Sequence, residues 1–242
     1  MGKLFIVPTP IGNLKDITLR ALEILQNVDA VICEDSRRTG LLLNHFAIKK
    51  PLIILNDYNE SRVSPGLLAR LEQEENMALV SDAGTPLVSD PGYKLVREAL
   101  VKKITIDSLP GPNSILTALT LSGLPPDKFF FLGYLPEKPG KRLEFLKSLH
   151  IVHNTVHTSF IAFTAPHKLI KTLQDFQEVF ENIEITLAKE LTKIHQSVKK
   201  QTIQQWLKEF QQHPPKGEYV LLFNLSGYLT DSKLTDGIDS SG

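Results

Sequence analysis

The chain has 242 residues, 42% of them hydrophobic, with 27 basic residues against 27 acidic ones and a single cysteine, Cys33. A chain of this length buries one large core or two modest ones, and two domains of roughly 110 to 130 residues are expected. The lone cysteine excludes an internal disulfide framework and fits a reducing, cytoplasmic compartment; balanced charge argues against a broad basic nucleic-acid footprint; and no apolar run approaches the ~18 residues of a membrane span, so no membrane association is expected.

The opening Met1 to Pro8 is too short an apolar run for a signal peptide and reads as a first strand over Leu4 to Val7. Next comes a helix with Ile17, Ala21, Ile24, Leu25 and Val28 on one face and Asp16 as its N-cap. Strand signals follow at Ala30 to Cys33, Leu52 to Leu55, Met77 to Val80 and Ile104 to Ser108, separated by helical segments. That alternation predicts βαβ units and a mostly parallel sheet. The stretch Ser81-Asp82-Ala83-Gly84-Thr85-Pro86-Leu87-Val88-Ser89-Asp90-Pro91-Gly92 departs from the fourth strand as a stiff loop with two carboxylates. Asp82, one residue past the strand, reads as a ligand contact, and Asp90 as the cap of a helix starting near Pro91.

After the fifth strand, Pro110-Gly111-Pro112-Asn113 leads into a helix over Ser114 to Ser122, and the domain change is placed here, at 113/114. A strand over Phe129 to Gly133 and an exposed Pro-rich loop over Tyr134 to Gly140 follow. Further strands are predicted at Phe160 to Phe163, Ile183 to Ala188 and Tyr219 to Phe223, with helices near Lys168 to Val179 and Thr202 to Gln211. This is a second α/β domain, 114–226, with a mixed sheet; residues 227–242 turn to Ser, Thr, Asp and Gly and read as a frayed tail.

Several familiar sites are excluded. Gly140-Lys141-Arg142 lacks the first glycine and the hydroxyl of a phosphate-binding P-loop. His153 and His157 have the spacing of a zinc helix but no intervening carboxylate, so no metal is expected. No dinucleotide fingerprint or serine-hydrolase elbow is present. What remains is three Gly and Pro loops, Pro8 to Asn13, Ser81 to Gly92 and Pro110 to Ser114, each after a strand and so expected at one edge of one sheet. Beside them the groups Glu34-Asp35-Ser36-Arg37-Arg38 and Asn56 to Glu60 are either ordinary helix starts or substrate contacts, with Arg37 on a phosphate and Asn59 or Glu60 on sugar hydroxyls. An RNA partner would have to use local patches, of which Arg37-Arg38, Lys49-Lys50, Lys138 with Lys141 and Arg142, and Lys199-Lys200 are the candidates.

Thr9-Pro10-Ile11-Gly12-Asn13-Leu14 with Asp16-Ile17-Thr18, Glu34-Asp35-Ser36-Arg37, Asn59-Glu60, Ser81 to Tyr93, Pro110-Gly111-Pro112, Ser122-Gly123-Leu124-Pro125, Gly133-Tyr134-Leu135-Pro136 and Lys189-Glu190-Leu191-Thr192-Lys193 together resemble the ribosomal RNA small subunit methyltransferase I family, a branch of the tetrapyrrole methylase superfamily. The resemblance implies a two-domain α/β fold of the tetrapyrrole methylase type with a cofactor cleft between the domains. It also implies S-adenosyl-L-methionine as methyl donor, a homodimer, and 2′-O-methylation of a cytidine in 16S rRNA of the small ribosomal subunit.

Carried over position by position, it suggests cofactor contacts at Ile11, Val80, Ser81, Asp82, Thr85, Asn113 and Ser114, with Thr164 and Leu191 from the second domain, and substrate contacts at Asn13, Glu34, Asp35, Arg37 and Asn59. A ribose hydroxyl is a poor nucleophile, so a group must share its proton; Glu60, Glu190 and Lys193 are the candidates. Ser36 replaces a usual Thr, Phe163-Thr164-Ala165-Pro166-His167-Lys168 stands where Tyr-Glu-Ser-Pro-His-Arg is typical, and Gln196 replaces a Glu. Two alternatives stay open: a small-molecule methylase of tetrapyrrole type, and a cofactor-binding ribosome assembly factor without turnover.

Overall fold

The computed structural model describes residues 1–226 and divides into two compact units, Met1–Ser114 and a second beginning at Ile115. The tail expected over 227–242 lies outside the described residues.

The first unit is a parallel sheet. Its strands are β1 (Lys3–Ile6), β2 (Ala30–Cys33), β3 (Leu52–Ile54), β4 (Met77–Leu79) and β5 (Thr105–Ser108), in the order β3-β2-β4-β1-β5. Every neighbouring pair is parallel. The crossovers are α1 (Leu19–Asn27), α2 (Ser36–His45), α3 (Glu60–Glu72) and α4 (Tyr93–Val101). Side chains alternate across a strand, so Ile32 joins Leu4, Leu68, Met77 and Leu95 on one face while Val31 and Cys33 join Leu25, Leu43 and Ala78 on the other. Both faces of the inner strands are covered, which is why they read as unbroken apolar runs, while the edge strand β5, Thr-Ile-Asp-Ser, does not.

Two helix starts differ from expectation. Thr18, not Asp16, caps α1, its hydroxyl accepting from the Ala21 N–H at 3.0 Å; Asp16 sits in a preceding 3₁₀ turn over Leu14–Asp16. Helix α4 begins at Tyr93 behind Gly92, so Asp90 is not its cap. Gly92 holds φ +117°, a conformation that a side chain resists.

In the second unit, α5 (Ser114–Ser122) is followed by β6 (Phe129–Tyr134), α6 (Pro139–Val156), β7 (Ser159–Thr164), α7 (Pro166–Phe180), β8 (Glu184–Lys189), β9 (Ser197–Thr202), α8 (Ile203–Gln212) and β10 (Tyr219–Asn224). The sheet order is β6-β7-β10-β8-β9, parallel between β6 and β7 and antiparallel elsewhere, a mixed sheet. Phe160, Phe176, Phe180 and Phe223 fill its core, with Phe223 4.9 Å from Phe176 and 5.1 Å from Phe160 by ring centroids. The Trp206 indole keeps its N–H paired by donating to the Ile185 carbonyl at 2.9 Å.

Helix α6 and strand β9 were not expected, and α6 withdraws Arg142 from its basic patch while Lys138 and Lys141 stay exposed. Arg142 is buried: its Nε donates to Asp175 Oδ2 at 2.6 Å and its Nη1 to the carbonyls of Pro136 and Glu137 at 2.9 and 3.0 Å. The guanidinium ties the Pro-rich loop to α7 and is not available to RNA. Removing one partner of such a pair strands a charge in the interior. Asp175→Ala should therefore destabilise the protein by about 3–5 kcal/mol in denaturant titration, whereas the paired change of Arg142→Met with Asp175→Leu should cost far less.

Candidate functional site

Strands β4, β1 and β5 are neighbours in the sheet, so the three Gly and Pro loops leave the same edge side by side, and hydrogen bonds lock them together. Thr9 and Gly84 exchange backbone bonds, N to O, at 2.9 Å each way. The Thr9 hydroxyl donates to the Ser81 carbonyl and the Ser81 hydroxyl to the Gly84 carbonyl, both at 3.1 Å. The Thr85 hydroxyl reaches the Pro112 carbonyl at 3.1 Å and accepts from the Asn113 side-chain amide at 3.2 Å. A Cβ on Gly111 would stand 2.7 Å from Pro8 Cβ, so the third loop closes on the first only because this residue has no side chain. Ile11, Val80, Ser81, Asp82, Thr85, Asn113 and Ser114 are thus brought together on one loop cluster. In the second unit, Thr164 ends β7 and Leu191 follows β8, both buried.

Carboxylates gather beside the middle loop. Asp82 Oδ1 accepts from the Asp35 backbone N–H at 3.2 Å and its Oδ2 lies 3.5 Å from Arg38 Nε. Asp90 is half-buried, and desolvation raises its carboxyl to about 6, helped by Glu34, Asp82 and Asp57 nearby and partly offset by the Ser81 hydroxyl. Glu34 is raised for the same first reason, burial, with Asp82 and Asp57 next. Asp35 goes the other way, down to about 2, because Arg37 hydrogen-bonds its carboxylate; Asp35 also caps α2 through the Arg37 N–H at 2.9 Å. The helix-start reading therefore describes the local geometry of Asp35 and Arg37.

Glu60 and Asn59 serve α3 and its surroundings. Glu60 is buried, and its Oε1 accepts from the backbone N–H groups of Lys94 and Leu95 at 2.9 and 3.2 Å, supplying the cap that α4 lacks from its own loop. Asn59 Oδ1 accepts from the Asn56 N–H at 2.8 Å and its amide donates to the Ile54 carbonyl at 3.1 Å. Asn13 Oδ1 accepts from the Lys15 N–H at 3.0 Å.

A second cluster lies on the β8–β9 turn. Lys193 Nζ bonds Glu190 Oε1 at 3.0 Å and Glu218 Oε2 at 2.8 Å, and the Glu218 N–H donates to Glu190 Oε1 at 2.8 Å. The Glu218 N–H, first, and Lys193 hold the Glu190 carboxyl below its ordinary range; the two carboxylates raise Lys193 against the opposing effect of burial, its largest single influence. Glu190 and Thr192 both carry positive φ, +48° and +63°, strain that persists where surrounding bonds over-determine a loop.

The Lys199-Lys200 patch is internally compensated: Lys199 pairs with Glu209 and Lys200 with Glu184. His153 is buried on α6, its Nδ1 3.3 Å from the Thr158 carbonyl and its Nε2 3.4 Å from the Ser226 hydroxyl, and His157 ends that helix. Among the described residues, no helix is long and apolar enough to cross a membrane. Sequence reasoning placed Arg38 beside this edge only as one of a polar group without a role of its own, and gave Asp90 the role of a helix cap. Arg38 had a signal, since it follows Arg37 one step into a helix that starts there; Asp90 had none, because its burial and the charges of Glu34 and Asp57 beside it depend on the folded chain.

Residues 3–206 match the Tetrapyrrole (Corrin/Porphyrin) Methylases family. Proteins named Ribosomal RNA small subunit methyltransferase I are 45% identical in Escherichia coli O157:H7, over 91% of this chain and 77% of that protein, and 41% identical in Thermotoga maritima, over 93% and 99%. Among solved structures, a diphthine synthase superposes with TM-score 0.70 at 16% identity, covering 92% of this chain and 90% of that one. A uroporphyrin-III-C-methyltransferase from Thermus thermophilus superposes with TM-score 0.62 at 18% identity, covering 94% and 96%. The structural likeness concerns the fold alone. With its all-parallel and mixed sheets, its interlocked loops and this level of identity over nine-tenths of its length, the chain belongs to the ribosomal RNA small subunit methyltransferase I family of tetrapyrrole methylases and is a methyltransferase.

Proposed function

We propose that the protein transfers a methyl group from S-adenosyl-L-methionine to the 2′-oxygen of a cytidine in 16S rRNA, acting as a cytoplasmic homodimer on the small ribosomal subunit. The observation that supports this most is the 45% and 41% identity to proteins whose names specify ribosomal RNA small subunit methylation. Neutral net charge agrees with an enzyme that recognises a folded particle by shape.

The loop cluster suits the cofactor. Gly84 and Gly111 let the three loops close on one another, and the carboxylates of Asp82 and Asp90 suit a sulfonium cation. When bound, the cofactor supplies an electrophilic methyl group; orientation and proton handling fall to the chain. In this reading Ile11, Val80, Ser81, Asp82, Thr85, Asn113 and Ser114 hold the cofactor, with Thr164 and Leu191 contributing from the second unit. Asn13, Glu34, Asp35, Arg37 and Asn59 face the RNA. In-line displacement rewards alignment of the acceptor oxygen above all.

The three proton-handling candidates take different roles. Glu60 is engaged at the start of α4 and steadies the end of the middle loop. Lys193, raised and paired twice, stays an ammonium and keeps Glu190 ionised. Glu190, the candidate carboxylate not engaged at a helix start, is assigned the share in the ribose hydroxyl proton, its lowered pKa making it a weak base.

The experiment is transfer of labelled methyl to small subunits from cells lacking this gene, followed by nucleoside analysis. Label in 2′-O-methylcytidine is expected; no label in RNA overturns the reading, and label in a small tetrapyrrole substrate instead establishes the alternative methylase. Glu190→Gln should lower turnover by about 10²-fold or more while cofactor affinity, read by calorimetry, changes little.

Asp90 gives a pH prediction of its own. Its folded carboxyl, at about 6, lies above the ordinary 3.8, so the native state binds the extra proton and this contribution to stability is complete below pH ~4 and lost as pH rises through 6. Asp90→Asn stays neutral and escapes that loss. After allowance for solvent screening of a half-exposed group, it should gain about 1 kcal/mol, roughly 2–4 °C in melting midpoint, at pH 7.5 and nothing at pH 4.

A further inference from the structure

A cavity of about 280 Å³ opens in the first unit at the carboxyl edge of its sheet, between α2 and the loops that follow β1 and β4. Arg38, Leu41 and Leu42 are one helical turn apart on α2 and face it from one side; Pro10 and Leu14 face it from the other. Asp82, from the middle loop, also lines it. Its size sits at the bottom of the ~300–1,000 Å³ range of small-ligand pockets, enough for one nucleobase with its sugar and too little for a macrocycle.

The hydroxyls that line the cavity are already engaged within the protein. Thr9 donates to the Ser81 carbonyl, Ser81 to the Gly84 carbonyl, and Thr39 hydrogen-bonds Cys33. Arg38 is different. Its side chain is 63% exposed and its Nε lies 3.5 Å from Asp82 Oδ2, too long for a hydrogen bond, so Asp82 orients the fork without consuming its donors. Leu41 is 74% and Leu14 38% exposed, two aliphatic side chains at the cavity that water solvates poorly. A flat ring between apolar walls, met at its edge by a planar donor fork, satisfies all of these groups at once.

We propose that this cavity receives the base of the acceptor nucleotide and that Arg38 selects cytosine by donating two hydrogen bonds to its adjacent acceptors, N3 and O2. Uracil fails there because its N3 carries a hydrogen and presents a donor to a donor. Asp82 is the positioning residue for the fork, and Leu14 and Leu41 close over the ring. The inference rests on the methyl-transfer reading above and gives that reading a physical cause for its choice of nucleotide.

The test uses the full-length enzyme with small subunits reconstituted to carry either cytidine or uridine at the position that wild-type enzyme methylates. Wild-type enzyme should favour cytidine by about 10- to 100-fold in kcat/KM, what one bidentate pair is worth, and Arg38→Ala should reduce that preference to within a few-fold. Arg38→Lys keeps the charge but loses the fork, so it should behave like Arg38→Ala on this ratio even where its overall rate recovers. Calorimetry with S-adenosyl-L-methionine should show unchanged affinity in both variants. An undiminished preference in Arg38→Ala overturns the assignment, as does a large loss of cofactor affinity, which would place the cavity within the cofactor's own site. Wild-type enzyme that labels no subunit RNA overturns the methyl-transfer reading itself, and this assignment with it.

Discussion

The interlock of Thr9, Ser81, Gly84, Thr85 and Pro112 is the constraint on which the rest of the first unit's chemistry depends. Loops at the end of a parallel sheet begin only as far apart as their strands, but nothing in strand pairing requires the loops themselves to meet. Here the Thr9 hydroxyl-to-carbonyl bond and a reciprocal backbone pair join the first loop to the second, the Ser81 hydroxyl braces the second internally, and the Thr85 hydroxyl joins the second to the third. Each bond is worth only about 1 kcal/mol in net stability. Their collective effect is positional: a surface made of three chain segments is rigid before any ligand arrives, and affinity is not spent on ordering it.

The same economy governs the start of α4. The Ser81–Gly92 loop enters that helix through a glycine, which brings no capping side chain. Glu60, 34 residues earlier on α3, provides the acceptor instead. The end of the ligand loop is therefore tied to a neighbouring helix as well as to its own strand. In the second unit, the Glu190, Lys193 and Glu218 cluster fills a comparable role for the β8–β9 turn. There positive-φ strain at Glu190 and Thr192 is the cost of the geometry.

Much of this was legible in the sequence. Parallel strands buried on both faces must be apolar without interruption, and four of the five in the first unit announce themselves that way; the gathering of three loops then follows from strand order. What was not legible has physical reasons. Strand β9, Ser197–Thr202, is an edge strand made almost entirely of polar residues and carries no burial signal. Helix α6 mixes β-branched residues with histidines near its end, a composition that hides its periodicity. Thr18 and Asp16 are equally good caps on paper, and a 3₁₀ turn decided between them. The roles of Glu60, Asp90 and Arg142 depend on partners 30 or more residues away, or on burial contributed by several segments, and no local pattern encodes those.

The carboxylates around Asp90 also make the loop edge a proton reservoir. Burial first, and then the negative charge of Glu34, Asp82 and Asp57, lets Asp90 hold a proton up to about pH 6. A cation settling on that edge relieves the repulsion and pulls the Asp90 pKa down, so its arrival and the departure of a proton are one linked event. Removing the positive charge reverses the exchange. For the proposed donor, which would enter as a sulfonium and leave as a neutral thioether, the edge would grip the spent molecule less firmly than the fresh one.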